Sequence, residues 1–476
     1  MKPQQKTKLE QLQQQILKNQ THHFPTDPTE FCQQTLNFTP TAYQKELITQ
    51  FTQNQFTAAR WARQTGKSHT VSALLLHYAL THPNTTTAIV GPSWRQTKLI
   101  IKRINTLLTK LPKTTYNKPQ KTQVTLTNNS TIEAYPNNPE TIRGPTLNIV
   151  YCDEMNFIPH DQELYDAILF TLGTTNGKFI CTSTPWSTNS IFYRIFHDPA
   201  YTDFAKTHVT YQQATEPNGP LKQQTLNRIK HQLEGDPCRW KREMEAEWAE
   251  NQNTWLPQAL ITSCIDHTLE YTPFQEAAGG EFYAGLDLGK YQDHSVLAIT
   301  KIEQSSIKLI HMHRFPLNTP YASIIGYVKT INDRWQTIHK TLTDQTGVGE
   351  YITEDMQNAG IKNVQGTKFT TETKEKLTTN LKQLMTQKHL KIPYDPHLIA
   401  ELNIETYELT KDGKTKYNHP PNTHDDRFWS LALACYAART EPPPKLWIMP
   451  KMSRGKTKLQ HLRQKLHKHQ TAGTTR

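Results

Sequence analysis

The tightest constraint on the fold is a single stretch in which an apolar strand, a polar loop and an apolar helix follow one another without a gap. Phe56–Ala59 reads as a strand, Arg60-Trp-Ala-Arg-Gln-Thr-Gly-Lys-Ser68 as the loop, and Thr70–Leu80 as the helix. A chain that turns from strand to helix over such a loop aims the backbone N–H groups of the helix start at one spot, a cradle for phosphate. A lysine there reaches the β- and γ-phosphates and the next hydroxyl can ligate Mg²⁺. Gly-Lys-[Ser/Thr] occurs three times, at 66–68, 413–415 and 455–457, but only the first lies between apolar segments. The usual leading glycine of the pattern is replaced by Trp61, and an ordinary glycine loop opening a buried helix fits the same residues.

Further apolar runs, Thr87–Gly91, Leu147–Cys152 and Lys178–Ser183, alternate with helical patterns, as in an α/β domain whose central strands are covered on both faces. The third of the four strands runs into Asp153-Glu154. Beside a phosphate loop these acids suit two roles: Asp153 in the Mg²⁺ shell with Ser68, and Glu154 orienting or deprotonating the attacking water. Alone they would be a solvated strand exit. Ser183, Thr184 and Pro185, at the end of the next strand, suit a turn that senses the γ-phosphate; they also suit a plain proline turn. Arg60, Arg63, Arg95 and Arg143 are the candidates for an arginine that meets transition-state charge, Arg63 being next to the loop.

A second group of acids follows residue 280. Asp287 stands inside the apolar strand Tyr283–Gly289, which the turn Lys290–His294 joins to a partner strand, Ser295–Ile302. Asp344 ends another short strand, and His424-Asp425-Asp426 opens the helix carrying Ser430–Ala437. A carboxylate amid apolar strand residues is costly unless paired or bound to metal. Acids at two strands and a helix start form a set for two Mg²⁺ or Mn²⁺ ions acting on a phosphodiester. Asp425 or Asp426 also suits a helix cap.

The partition expected from these patterns is a polar lead-in at 1–35, a phosphate-loop domain at 36–255, a linker at 256–280, a second α/β domain at 281–440 and a basic tail at 441–476. Lys and Arg outnumber Asp and Glu by 54 to 42, a net +12 that favours a polyanionic partner. The absence of a membrane-length apolar run or a signal-like start argues against a membrane role, and six dispersed cysteines fit a reducing interior.

In order along the chain, these motifs resemble the large terminase subunit, the genome-packaging motor of tailed viruses of bacteria and archaea. Thr41–Ile48 is similar to the family's adenine-contacting glutamine motif, with Gln44, and Arg63-Gln64-Thr65-Gly66-Lys67-Ser68 to its atypical phosphate loop. Gly91–Gln96, Thr141–Gly144, Asp153-Glu154, Ser183–Ser187 with Ile191–Arg194, and Trp240–Trp248 follow in the family's order. Gly285–Gly289, Asp344–Glu350, Lys368–Thr370 with Lys374, and His424–Asp426 look like its ribonuclease H-like nuclease. The fold class expected is therefore α/β in two domains: a P-loop NTPase with a mostly parallel sheet and flanking helices, then a ribonuclease H-like domain.

The resemblance implies ATP hydrolysis that drives double-stranded DNA into a procapsid, and a nuclease that cuts concatemers. It implies ATP and Mg²⁺ (or Mn²⁺ at the nuclease) as cofactors. The partners it implies are double-stranded DNA, the portal protein and procapsid, a small terminase subunit and a pentameric ring of copies, in the host cell cytoplasm. DNA held through phosphates would bind with steep salt dependence and little base preference. A helicase or translocase-nuclease of DNA repair or defence is the alternative. A nuclease-inactive scaffold or an integrase-like recombinase would leave 36–255, or the intact acids, without a use.

Overall fold

In the computed structural model, the described residues are 23–439, except 235, 251–253, 290–292, 336–337, 347–348, 410–414 and 420–422. The basic tail at 441–476 and the first 22 residues of the lead-in lie outside them.

The first domain is built on seven strands: β1 (Phe56–Trp61), β2 (Thr86–Val90), β3 (Gln123–Thr125), β4 (Thr131–Ala134), β5 (Ile149–Asp153), β6 (Lys178–Ser183) and β7 (Phe204–Val209). They pair in the order β3-β4-β2-β5-β6-β1-β7, all parallel except β3 with β4. Every side chain of β5 is buried, as expected of a central strand with helices over both faces. The strand order matters to the site. Because β6 lies between β1 and β5, Ser183 pairs with Arg60 and Thr182 with Asp153, so the turn after β6 emerges between the glycine loop and the acids.

The second domain uses β8 (Glu281–Asp287), β9 (Val296–Glu303), β10 (Ser306–Arg314), β11 (Ile338–Asp344), β12 (Val364–Thr367) and the two-residue β13 (Leu390–Lys391). Their order is β12-β11-β8-β9-β10-β13. The strands β8-β9-β10 form an antiparallel meander; β11 and β12 extend it in parallel on the β8 side. A meander followed by parallel strands added beside its first strand is the ribonuclease H arrangement. A separate hairpin joins β14 (Thr406–Leu409) to β15 (Thr415–Asn418). The helix Asp426–Arg439 lies against β8 at Gly285, where an added Cβ would sit 2.1 Å from the Ser430 carbonyl oxygen.

Two boundaries differ from the sequence reading. The lead-in is not polar throughout: Phe31 and Cys32 are buried in the first domain's core. The stretch 256–280 is not a free linker. It holds a helix, Gln258–Ser263, and Leu256, Ile261, Cys264 and Ile265 pack into the second domain's core. The apolar positions 261, 264 and 265 have helical spacing but are diluted by Gln, Thr and Ser, and that dilution hid them.

Candidate functional site

The glycine loop takes the shape its sequence requires. Gly66 sits at φ +90°, where a side chain is strained, and an added Cβ would lie 2.6 Å from Gln44 Nε2. Gln44 is set from the other side by a capping box at the start of the helix Ala42–Gln53, its Oε1 accepting from Thr41 N at 2.9 Å. Tyr43 Oη donates to Thr65 O at 3.0 Å. Trp61, in place of a glycine, is fully buried; it packs edge-on to Tyr43 and donates to Thr207 Oγ1 at 2.8 Å. Its bulk therefore lies in the core and leaves the loop open.

Lys67 Nζ lies 3.1 Å from Trp61 O and 3.3 Å from Ala62 O, and 3.9 Å from Glu154 Oε1. Burial lowers its pKa, and Glu154 and Asp153 pull it back up. Ser68 Oγ donates to Asp153 Oδ1 at 3.2 Å, where Tyr151 Oη (2.5 Å) and Thr182 Oγ1 (3.2 Å) also donate. Burial and the neighbouring Glu154 raise Asp153 above the usual carboxylate range.

Glu154 has left the strand: its φ of +47° is left-handed, which turns its side chain toward the turn after β6. There Ser183 Oγ and Thr184 N both lie 3.2 Å from its Oε2. Asn156 fixes the rest of that turn, accepting from Trp186 N at 2.7 Å and donating to Ser187 O at 2.9 Å. No sequence pattern pointed to Asn156.

A cleft of about 620 Å³ opens beside the loop, and its walls include Gln44, residues 63–69, Gln96, Arg103 and Glu154. Of the four arginines considered, only Arg63 lines it; its N–H bonds Glu243 O at 2.8 Å and its guanidinium lies 3.6 Å from Glu243 Oε1. Arg60 is bound to Glu247 at 3.0 Å, Arg143 pairs with Glu140 at 2.5 Å on the surface, and Arg95 is exposed. Arg103 and, from the second domain, Tyr394 and Pro396 were missed, since nothing local marks them.

The second group of acids converges. Asp287 ends β8, Asp344 ends the adjacent β11, and Asp426 starts the helix packed on β8. Burial raises Asp287 well above the usual carboxylate range, followed by the charges of Asp426, Asp425, Asp344 and Asp293. Asp426 accepts from His294 N at 3.2 Å, and burial with Glu401 and Asp425 pushes it up to about 7. Asp293, His424 and Asp426 place ligand atoms within 4.8 Å of one another.

Asp425 acts on Asp287 as well but has partners of its own. Its Oδ2 is 2.9 Å from His419 Nδ1 and accepts from Trp429 Nε1 at 2.6 Å, and it neighbours the buried Glu405. Asp344 Oδ1 accepts from Thr346 N and Oγ1 at 2.8 and 2.6 Å. Burial raises Asp344 above the usual carboxylate range, opposed by the Thr346 hydrogen bonds and by Lys374, which lies 4.7 Å from the centre of the Trp429 ring. Asp293, Glu401, Glu405 and His419 were not foreseen; only Asp293 lay in a stretch, the turn 290–294, already singled out.

A phosphate loop facing two acids at a strand end, followed by a ribonuclease H-like sheet with converging acids, defines the class: a P-loop NTPase fold joined to a nuclease-type fold on one chain. Residues 60–263 match the family described as "Terminase large subunit, T4likevirus-type, N-terminal". The large terminase subunit of Thermus phage G20c is 24% identical over 315 residues, which span 62% of each chain; that of Thermus virus P23-45 aligns equally. The alignment thus spans less than two thirds of those relatives. Among solved structures, the ATPase domain of the Thermus phage P74-26 large terminase is 20% identical over 48% of this chain and 100% of its own, with a TM-score of 0.37. The nuclease of the phage G20c large terminase, solved with bound magnesium, is 25% identical over 36% of this chain and 85% of its own, with a TM-score of 0.31. Over these stretches the chain is similar to terminase large subunits.

Proposed function

We propose that this chain is a viral genome-packaging motor: ATP hydrolysis in the first domain drives double-stranded DNA into a procapsid, and the second domain cuts concatemeric DNA. The observation that carries the reading is the presence on one chain of two acid-bearing sites of different design, one facing a phosphate loop and one made of converging strand-end carboxylates.

In the first site Lys67 and the N–H groups of 65–68 hold phosphate, and Gln44 stands where the base end of the cleft begins. Glu154 orients the attacking water and Arg63 meets developing charge. The hydrogen bonds from Ser183 Oγ and from Thr184 N and Oγ1 to Glu154 make the turn at 183–185 the first element to feel a change at the γ-phosphate. Ser68 and Asp153 fit a Mg²⁺ ion, which would neutralise charge between the phosphates. In the second site Asp287, Asp344 and Asp426, with Asp425 beside them, fit divalent ions, Mg²⁺ or Mn²⁺. Burial, and after it the charges of neighbouring carboxylates, raise Asp287 and Asp426, and a bound cation would offset both. Such ions supply water activation against a phosphodiester.

The partners that follow are double-stranded DNA, the portal and procapsid, a small terminase subunit and a ring of copies of the chain, in the host cytoplasm. Among the described residues no helix is long and apolar enough to cross a membrane. Portal-dependent, ATP-dependent protection of DNA inside procapsids tests the reading. Uptake supports it; strand separation of duplex DNA without uptake would favour the helicase-nuclease alternative.

A further inference from the structure

The nucleotide cleft is not walled by the first domain alone. Tyr394 and Pro396, just after β13, line it together with Arg63, Lys67 and Glu154. The Tyr394 ring stands edge-on to Phe157 at 5.6 Å, and Phe157 stacks on Trp186 at 5.4 Å. Phe157 closes the turn that begins at Glu154, and Trp186 directly follows the Ser183–Pro185 turn that binds Glu154. Tyr394 therefore touches the chain on one side of the Glu154 carboxylate and, through one ring, the chain on the other. Trp186 is also tied to the second domain by its Nε1 donating to Thr262 Oγ1 at 3.0 Å.

The phenol is placed among the charges of the hydrolytic residues. Burial and then Glu154 push its ionisation well above the usual tyrosine range, with Arg63 opposing, so the group is a neutral O–H that can donate and accept. A wall that only excluded water needs the ring and not the hydroxyl. We infer that Tyr394 is a positioning residue for ATP hydrolysis, contributed to the nucleotide site by the nuclease domain and acting on Glu154 and the water it orients. The inference rests on the first cleft binding ATP.

The loop that presents Tyr394 does not end there. Asp395 caps the helix Pro396–Ile404, accepting from His397 N at 2.9 Å. That helix carries Glu401, which binds Arg427 N at 2.8 Å beside Asp426, and leads to Glu405 beside Asp425 and His419. Ordering Tyr394 over a nucleotide thus tightens the start of an element whose other end borders the acid cluster.

The test is steady-state ATP hydrolysis by the full-length chain carrying Tyr394→Phe or Tyr394→Ala. Phe keeps the wall and loses the hydroxyl that sits among the charges of Glu154 and Arg63, so kcat should fall about tenfold with KM within roughly twofold of wild type. Ala should lower kcat and raise KM together. An unchanged kcat in Tyr394→Phe, or a rise in KM alone, overturns the inference. A measurement on the unaltered chain stands beside it: a non-hydrolysable ATP analogue should slow amide exchange at 394–399 as well as at 63–68. Protection at 63–68 alone overturns the inference while leaving the nucleotide site intact. Absence of protection at 63–68 would instead overturn the assignment of the site itself.

Discussion

Without metal, the acid cluster opposes folding of its own domain, and Asp426→Asn measures by how much. Asp426 is 3% exposed, and burial, followed by the Glu401 charge, shifts it from 3.8 to about 7. A carboxyl whose pKa is higher in the folded state costs nothing below its unfolded pKa, where it is protonated in both states. The cost grows as pH rises from 3.8 and is complete above about 7. At 1.36 kcal/mol per unit this is about 2 kcal/mol at pH 5 and about 4 kcal/mol at pH 8. Asn keeps the shape and an acceptor for His294 N–H but never ionises.

In EDTA, then, Asp426→Asn should be more stable than wild type, and the gain should widen by about 2 kcal/mol between pH 5 and pH 8. For a domain of this size that is a widening of roughly 4–8 °C in melting temperature. Paired thermal melts at the two pH values read it directly. Saturating Mg²⁺ should raise the wild-type midpoint at pH 8 and shrink the difference. A difference that stays flat with pH, or a variant that is less stable at pH 8, would refute the placement of Asp426 among unrelieved carboxylates.

Other perturbations separate the two sites. Lys67→Ala removes the cation held at the glycine loop and should abolish ATP turnover while metal-dependent plasmid cutting persists; turnover at the wild-type rate would contradict the phosphate-cradle assignment. Asp287→Asn should do the reverse, and continued nicking would place the metal site elsewhere. Gly285→Ala drives a methyl group to 2.1 Å from Ser430 O and 2.4 Å from Ala434 N, both backbone atoms. It should destabilise the second domain by roughly 1–3 kcal/mol and depress cutting, read by urea titration and plasmid assay; a neutral outcome would mean that the helix can back away from β8.

What the sequence could disclose follows from how local each signal is. The glycine loop, the Asp153-Glu154 strand end and the acids at 287, 344 and 426 each stand at the boundary of a secondary-structure element, so periodicity and position located them together. β6 matched its expected span residue for residue, because a continuous apolar run bounded by Lys178 and Thr184-Pro185 leaves little room for another reading. Leu256, Ile261 and Cys264 were lost in polar surroundings, although each is fully buried. The partners of Asp425 could not be read either: Asp425 and Asp426 are neighbours in sequence, and it is His419, from beyond the β14–β15 hairpin, that binds Asp425. Tyr394 belongs to the same category, since it reaches the nucleotide cleft only because the second domain is set against the first.

The most direct test of the two-site account is a crystal of the intact chain grown with ADP and Mn²⁺, with the manganese located by anomalous scattering. The account predicts ADP phosphates on the N–H groups of 65–68 near Lys67, and a separate manganese signal bounded by Asp287, Asp344 and Asp426. Manganese found only with the nucleotide, leaving those three carboxylates without an ion, would contradict it.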